Sequence, residues 1–565
     1  MRERLTVLGT TDLHGNVFNW DYYNNRAYDD RDGDEIGLAK IATLVAEVRA
    51  ERGAQRTLLI DAGDTIQGTQ LAYYYAKIEP ASERQLHPMA AAMNAIGFDA
   101  AALGNHEFNY GIPLLRAWQE QLEFPLLGAN ALDWSSDRPV FPPYVIKSVR
   151  VRDDLRPVRV GILGLTNPGI AIWDKAHVEG QMRFPGLVEQ ARVWVPRLRL
   201  RTDVLIVAAH SGLGTSSSYG DAILYPENAS ILLAQQVPGI DAILVGHQHA
   251  EIAERFVTNV TTGAKVLLTE PAYWGKRLSV IDLDLRWSLA DGWSVLDKHA
   301  SILDSSSVPE DPEIVRLLKG DHDKVVAYVN SVVGTCKEAM SAATARYEDT
   351  AAIDFVNFVQ AETVKAALAG TPEGSLPVLS IAAPFNRAAS IPAGQVSVRD
   401  VAALYVFDNS LLAVRLTGAQ LRSYLERSAE YFHQVDGPGP FPPERLTNAN
   451  GMADYQYDIV AGLDARLTYD IDIARPLGHR IVSLAYGGAP VRADQEFVVA
   501  INNYRQSGGG NFPHVATAPV LYNRQAEIRQ LLIDWVREVG AIDPGVFAAV
   551  DWRLVADGAP VVVTP

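Results

Sequence analysis

The sequence predicts an α/β chain in two parts: β-sheets flanked by helices, joined by a helix to a C-terminal α+β domain. Three observations carry this reading. The chain has 565 residues, more than one hydrophobic core of ordinary size organises. Roughly the first 300 residues alternate short apolar runs with helical patterns, as sheets covered by helices do. A serine- and proline-bearing break follows, and beyond it the composition shifts.

The elements follow in order. Leu5–Leu8, Thr57–Ile60, Asp99–Leu103, Val158–Leu165, Val204–Ala208 and Ala242–Val245 are short and apolar-rich, several dominated by Val, Ile and Leu, as buried strands are. Met89–Ile96 and Leu187–Leu198 carry apolar residues at helical spacing. Ser305-Ser306-Ser307-Val308-Pro309 reads as a loop, and Asp311-Pro312-Glu313 as a helix start, with Asp as cap and Pro in the first turn. Ile314, Leu317, Leu318, Val325, Tyr328, Val329 and Val332 keep helical spacing, interrupted at Gly320–Lys324. That interruption and Gly334 read equally as hinges or as plain loop. The expected divisions are residues 1–305, a linker helix at 306–340, and residues 341–565. In the last part, Asp354–Leu368 and Gly418–Phe432 read as helices. Val378–Ala382, Ser410–Leu416, Tyr455–Leu467 and Phe497–Ile501 read as strands, and Asp436–Pro443 as a Pro/Gly-rich loop.

Lys+Arg 50 against Asp+Glu 67 gives a net charge of −17, which argues against a partner made of duplex nucleic acid, bound largely through Lys and Arg. A small phosphorylated substrate stays open, because bound cations supply local positive charge. Cys336 is the single cysteine, so no intrachain disulfide is expected. No run reaches the roughly 18–20 apolar residues of a membrane span. As written, Met1-Arg2-Glu3-Arg4 leads straight into the first strand, with no export signal expected. Compartment and oligomeric state stay open.

Histidines and carboxylates fall where the chemistry should be. Of twelve histidines, five sit just past candidate strand ends among other ligand-type residues. Thr10-Thr11-Asp12-Leu13-His14-Gly15-Asn16 follows the first strand, and Asp61-Ala62-Gly63-Asp64 the second. Gly104-Asn105-His106-Glu107, His210 and Gly246-His247-Gln248-His249 follow the later ones. Strand-end loops collect ligands in α/β sheets. The Asp-x-His and His-x-His spacings place both side chains on one side of an extended segment. Carboxylate, imidazole and amide oxygen together suit Mn, Zn or Fe, and the set is too nitrogen-rich for calcium. Any one histidine alone is better read as structural; five in such contexts with Asp12, Asp64 and Asn105 read as a metal site. Asp61 reads as a loop or supporting carboxylate.

In this order, Asp-x-His-Gly, Gly-Asp, Gly-Asn-His-Glu, a lone His and Gly-His-x-His resemble the calcineurin-like metallophosphoesterases. Ser380-Ile381-Ala382-Ala383-Pro384-Phe385, Val406-Phe407-Asp408-Asn409, and Asn502-Asn503-Tyr504-Arg505 with Gly508-Gly509-Gly510-Asn511-Phe512-Pro513 look like the C-terminal domain of the bacterial 5′-nucleotidase family. The long run from Leu13 to Tyr23, Glu107-Phe108-Asn109-Tyr110-Gly111 and the triple glycine look more like the 2′,3′-cyclic-nucleotide 2′-phosphodiesterase/3′-nucleotidase branch. In the 5′-nucleotidase branch the position of Asn109 is usually Asp, paired with the catalytic histidine.

The resemblance implies an N-terminal metallophosphoesterase sandwich and a C-terminal nucleotide-binding domain. It implies two divalent ions (Mn, Zn, Co or Fe), one held by Asp12, His14, Asp64 and His249. The other would be held by Asp64, Asn105, His210 and His247, with His106 as the catalytic, non-ligand histidine. It further implies a small nucleotide substrate whose base lies between Phe407 and Tyr504, with Asn409 as a polar contact; Arg387, next to the position where the 5′-nucleotidase branch keeps a substrate-contacting Arg, is a further candidate contact. Tyr455 and Tyr457 read equally as strand core. Members of the family are usually exported. The leading expectation is a cyclic-nucleotide phosphodiesterase with 3′-nucleotidase activity. A 5′-nucleotidase or nucleotide-sugar hydrolase is the alternative, and a sulfur-oxidation hydrolase of the superfamily is disfavoured by the aromatic pair. A non-catalytic nucleotide-binding or surface-interaction protein is the alternative of another class, opposed by the intact ligand set.

Overall fold

The computed structural model describes residues 2–30, 32–82, 84–215, 217–219 and 223–564. The chain divides into two compact units, Met1–Val326 and Ala327–Pro565.

The first unit is built on two six-stranded sheets. One runs Gly292–Asp304, Arg277–Ser288, Arg2–Thr10, Thr57–Asp61, Ala100–Ala102, Leu126–Leu127. The other runs Glu251–Thr258, Lys265–Pro271, Ala242–Val245, Val204–Ala209, Val158–Leu165, Tyr144–Val149. Alternate residues of the two sheets meet in one core: Leu5, Val7, Leu58 and Ile60 from the first share a cluster with Val160, Ile162, Val204 and Ile206 from the second. The intervening residues Leu163, Leu205, Val207 and Ile243 face the other way, onto helix Leu187–Arg199 through Leu187, Ala191, Val195 and Leu198. Covered on both faces, these strands are continuously apolar, which is why they stand out in the sequence.

Arg2–Thr10, Thr57–Asp61 and Ala100–Ala102 are parallel neighbours, as are Val158–Leu165, Val204–Ala209 and Ala242–Val245. Within each sheet the C-terminal ends of these three strands lie along one edge, where ligands collect in such sheets.

Pro312–Val329 is one continuous helix, without the expected interruption at Gly320–Lys324. Those polar residues are engaged instead. Asp321 accepts from the Tyr75 hydroxyl, and Lys324 Nζ lies 2.9 Å from Glu79. His322 sits among Phe18, Trp20 and Tyr22, its Nδ1 2.9 Å from the Tyr22 hydroxyl.

The second unit holds a five-stranded sheet, Ile459–Gly462, Val378–Ala382, Glu496–Asn502, Ser410–Thr417, Val520–Glu527. Helix Ala351–Ala367 is tied to it through Gln360 Nε2, which donates to Ser380 Oγ (3.0 Å) and the Ile381 carbonyl (2.8 Å). The expected strand Tyr455–Leu467 is two strands, Ile459–Gly462 and Leu467–Asp472, because each belongs to a different sheet. Helix Gly418–Ser428 ends before the short 3₁₀ turn Ala429–Tyr431. Gly334 lies inside strand Val332–Cys336, where a Cβ would meet Val536 Cγ1 at 2.8 Å; it is a packing position rather than a hinge. Among the described residues no helix is long and apolar enough to cross a membrane.

Candidate metal centre

The five strand-end motifs come together. The loop after Arg2–Thr10 is laced to the loop after Thr57–Asp61 by Asp12 N–H to Gly63 O (2.8 Å), His14 N–H to Asp64 O (2.9 Å) and Gly15 N–H to Thr65 O (2.8 Å). The loop after Ala100–Ala102 joins through His106 N–H, which donates to Asp64 Oδ1 at 2.7 Å. The turn after Ala242–Val245 joins through His247 N–H, which donates to Asp12 Oδ2 at 3.0 Å. Gly104 permits the close approach: a Cβ there would stand 2.1 Å from Asp64 Oδ1.

Asp12, His14, Asp64, His247 and His249 all take positive φ, between 48° and 80°. The Asp-x-His and His-x-His segments are therefore not extended, as the spacing alone suggested. They turn left-handed at each ligand-type residue, a conformation that costs energy for a side chain with a Cβ and persists where surroundings enforce it.

Two donor groups result, Asp12–His14–His249 and Asp64–His210–His247. In the first, His14 Nε2 and His249 Nε2 are 3.1 Å apart. Asp12 Oδ1 lies 3.3 Å from His249 Nε2 and 3.8 Å from His14 Nε2. In the second, His210 Nε2 is 3.0 Å from Asp64 Oδ2 and 3.1 Å from Asn105 Oδ1, and His247 Nδ1 is 2.9 Å from Asn105 Oδ1. Asp64 Oδ2 also stands 3.9 Å from His14 Nε2, so it serves both groups.

The hydrogen-bond logic shows that these residues fit cations. His210 Nδ1 faces the Ala62 carbonyl at 2.9 Å and His14 Nδ1 the Gln67 carbonyl at 2.9 Å, so both carry their proton on Nδ1. Their bare Nε2 lone pairs then point at oxygens and at another imidazole, an arrangement that repels unless a cation or a further proton lies between. Asp12 Oδ1 is buried without a hydrogen-bond partner among the described residues. Burial opposes charge on His210, yet Asp64 raises its pKa to about 10. Burial alone would raise the Asp64 carboxyl, but His210, His106 and His14 hold it well below the ordinary carboxylate range. Burial meanwhile lowers His14 to about 4, so Asp64 stays ionised and His14 neutral, the protonation states that cation ligands need.

Supporting residues surround the donors, and of Glu227, Glu107, Asp61, Trp173 and Tyr273 only Asp61 was singled out from sequence. Glu227 Oε1 lies 2.7 Å from His247 Nε2, which fixes that proton and leaves Nδ1 as the donor atom. Its segment Tyr225-Pro226-Glu227 is irregular and offers no periodic signal. Glu107, quoted only as part of a motif, accepts from the N–H groups of Gly104 (2.6 Å), Asp64 (2.9 Å) and Thr65, bracing two ligand loops. Asp61 accepts from Thr10 Oγ1 (2.7 Å) and Gly63 N–H (2.8 Å), and burial pushes its carboxyl up to about 8. Trp173 stacks on His247 and Tyr273 on His249.

His106 stands outside both groups, a third exposed, with Nε2 3.9 Å from Asp64 Oδ2. Its Nδ1 lies 2.6 Å from Asn109 Oδ1. The histidine thus keeps an acceptor partner at this position, although the residue is not Asp.

In the second unit, Phe407 packs edge-on against Phe385 and Tyr455, with ring centroids 5.6 and 5.7 Å away. Buried Arg529 pairs with Asp408 at 2.6 Å and donates to the Tyr405 and Val406 carbonyls, fixing the Phe407 loop. Tyr504 lies over Gly509, where a Cβ would stand 2.5 Å from its ring. Buried Arg505 pairs with Asp458 at 2.6 Å and donates to the Tyr455 carbonyl (2.8 Å) and the Gly509 carbonyl (3.1 Å). One guanidinium therefore ties the Tyr504 and Tyr455 segments together. Tyr457 is core, stacked on Tyr431, whereas Tyr455 is 39% exposed. Asn409 Nδ2 donates to the Tyr405 hydroxyl at 3.3 Å, and Arg387 pairs with Asp454 at 2.6 Å on the surface.

Comparison with known proteins agrees with this geometry. Residues 5–251 match the family model of the calcineurin-like phosphoesterases, and residues 332–517 that of the 5′-nucleotidase C-terminal domain. A 2′,3′-cyclic-nucleotide 2′-phosphodiesterase/3′-nucleotidase of Salmonella typhimurium is 33% identical, over 97% of this chain and 88% of its own. The trifunctional nucleotide phosphoesterase protein YfkN of Bacillus subtilis is 34% identical over 96% of this chain, which spans 38% of that longer protein. The structure of a Staphylococcus aureus protein described as a putative 5′-nucleotidase matches with a TM-score of 0.77 and 25% identity, over 98% of this chain and 99% of its own. Calcineurin-like phosphoesterases are enzymes with a dinuclear divalent-metal site, and two donor groups sharing a carboxylate are what such a site requires. The chain belongs to the calcineurin-like phosphoesterases that carry a 5′-nucleotidase C-terminal domain.

Proposed function

We propose that this enzyme hydrolyses the phosphoester bonds of small nucleotides, opening 2′,3′-cyclic nucleotides at the 2′ oxygen and then releasing the 3′ phosphate. The observation that carries it is the pair of donor groups sharing Asp64, with His106 beside them. The names of its relatives at 33–34% identity support the substrate class. In this reading residues 1–305 carry the phosphoester chemistry, 341–565 hold the nucleoside, and 306–340 connect them.

Asp12, His14, Asp64 and His249 would hold one divalent ion, and Asp64, Asn105, His210 and His247 the other, with Mn, Zn, Co or Fe as the candidates. Bound there, the ions supply Lewis acidity and neutralise charge on the phosphoryl oxygens. The protein's own residues do the rest. His106 directs Nε2 toward the centre, stabilises the phosphoryl group in transfer and returns a proton to the departing ribose oxygen. Phe407 and Tyr504 hold the base by stacking, and Asn409 and Arg387 contribute polar contacts. In the first step water adds to phosphorus and the P–O2′ bond breaks, giving a 2′-hydroxyl and a 3′-phosphate. In the second, water adds again and the P–O3′ bond breaks.

The test is product analysis with 2′,3′-cyclic AMP, 3′-AMP and 5′-AMP side by side, with added Mn²⁺ and after chelation. The expected result is metal-dependent conversion of the first two to adenosine. Turnover confined to 5′-AMP would instead establish the 5′-nucleotidase reading, which the C-terminal domain match favours. Full activity after exhaustive chelation would overturn both.

A further inference from the structure

Asn109 has two polar atoms, and both are committed. Oδ1 lies 2.6 Å from His106 Nδ1, and Nδ2 donates to Asp174 Oδ1 at 2.8 Å. Asp174 is only 3% exposed, and its Oδ2 has no hydrogen-bond partner among the described residues. It sits at the junction of the short helices Ile170–Trp173 and Lys175–Val178. The segment is held against the metal centre by its neighbour Trp173, whose ring stacks on His247.

We propose that Asp174 is a positioning residue for catalysis, fixing the orientation of Asn109 and, through it, of His106. An amide can face a histidine with either end, and the neighbours decide which. A carboxylate only accepts, so Asp174 takes the NH₂ of Asn109 and leaves the amide oxygen to His106. With the amide reversed, its oxygen would oppose the Asp174 carboxylate and its NH₂ would oppose the histidine N–H. The result is a His106–Asn109–Asp174 relay that keeps the proton on Nδ1 and aims Nε2 at the phosphoryl group. The same geometry explains why Asn rather than Asp stands at 109: a carboxylate there would lie against Asp174 in a buried site, where two like charges are costly. This inference rests on the role of His106 given above.

The test is a double-mutant cycle with isosteric substitutions, reading kcat, KM and metal content on 2′,3′-cyclic AMP. Asn109→Asp should lower kcat by about 10–100-fold, as a misplaced catalytic group does, with KM and metal content little changed. Asp174→Asn alone should cost several-fold, because the remaining amide holds Asn109 less firmly. The two substitutions together should return kcat to within about threefold of wild type. The amide then at position 174 can donate to the carboxylate then at position 109, which accepts from His106. A residue that merely supports the fold would give additive losses. Losses that add, or a wild-type kcat in Asn109→Asp, would overturn the proposal. His106→Ala separates this failure from that of the broader reading. A large loss in His106→Ala beside an additive cycle removes the role of Asp174 alone, whereas no loss there removes the role of His106 itself.

Discussion

Asp64 is buried, and its Oδ2 stands 3.0 Å from His210 and 3.9 Å from His14, one residue in each donor group. Asp64→Asn keeps the shape but removes the negative charge that both groups share. Turnover should vanish, and metal analysis of the purified variant should show both ions depleted; normal occupancy at either group would show that Asp64 is not common to both. Glu227 acts one bond further out, holding the proton of His247 on Nε2. Glu227→Gln keeps an acceptor without its charge, and outer partners of this kind typically contribute about 10–100-fold in metal affinity. Calorimetric metal titration should show a loss of that order for one ion and little change for the other. Equal affinity at both would mean that the carboxylate does not tune the histidine. The residues of the two donor groups were legible in the sequence because each follows a strand end within a few residues. Glu227 and Asp174 were not, since they lie in irregular segments and matter only through side chains brought near by the fold.

Legibility of the elements follows the same physics. Val378–Ala382 and Ala242–Val245 were read to the residue and Val204–Ala209 to within one, because both faces of these strands are buried. The long hairpin Arg277–Ser288 and Gly292–Asp304 is half-buried, with Asp284 and Arg286 alternating with buried Leu283 and Leu285, so it lacks the continuous apolar run that marks the other strands. Helix Pro312–Val329 was misread at its polar middle, whose side chains are satisfied by tertiary partners that spacing does not reveal. A further element-scale consequence concerns helix Ala351–Ala367. Burial first, and the neighbouring Asp349 second, raise the Asp354 carboxyl well above the ordinary range, and Asp349 is raised likewise. The folded state therefore holds a proton that the unfolded chain releases near pH 4. That contribution to stability is complete below the unfolded value and is lost as pH rises from there to the folded value of about 9. Asp354→Asn should thus match wild type near about pH 4 and exceed it in Tm near about pH 8. Parallel Tm curves across that range would show that the pair shares no proton.

At the scale of the whole molecule, the proposed division of labour assigns bond cleavage to residues that end at His249 and base recognition to residues that begin near Phe407. Two consequences can be separated by choice of substrate. Phe407, on a loop, and Tyr504, on the short helix Asn503–Gln506, are fixed from behind by buried Arg529 and Arg505, each paired to a buried aspartate. Truncating either ring therefore removes stacking surface while leaving the guanidinium braces and the metal donors in place. Base–aromatic stacking contributes about 1–3 kcal/mol per base, so Phe407→Ala and Tyr504→Ala should each raise KM for 3′-AMP by about 5–150-fold. A small aryl phosphodiester has no base to stack, and its hydrolysis should stay within about twofold of wild type, because only uniform binding of the absent nucleoside has been lost. Steady-state kinetics on the two substrates decide the matter. Equal losses on both would show that these rings support the fold rather than the nucleoside, and base recognition would have to be sought elsewhere.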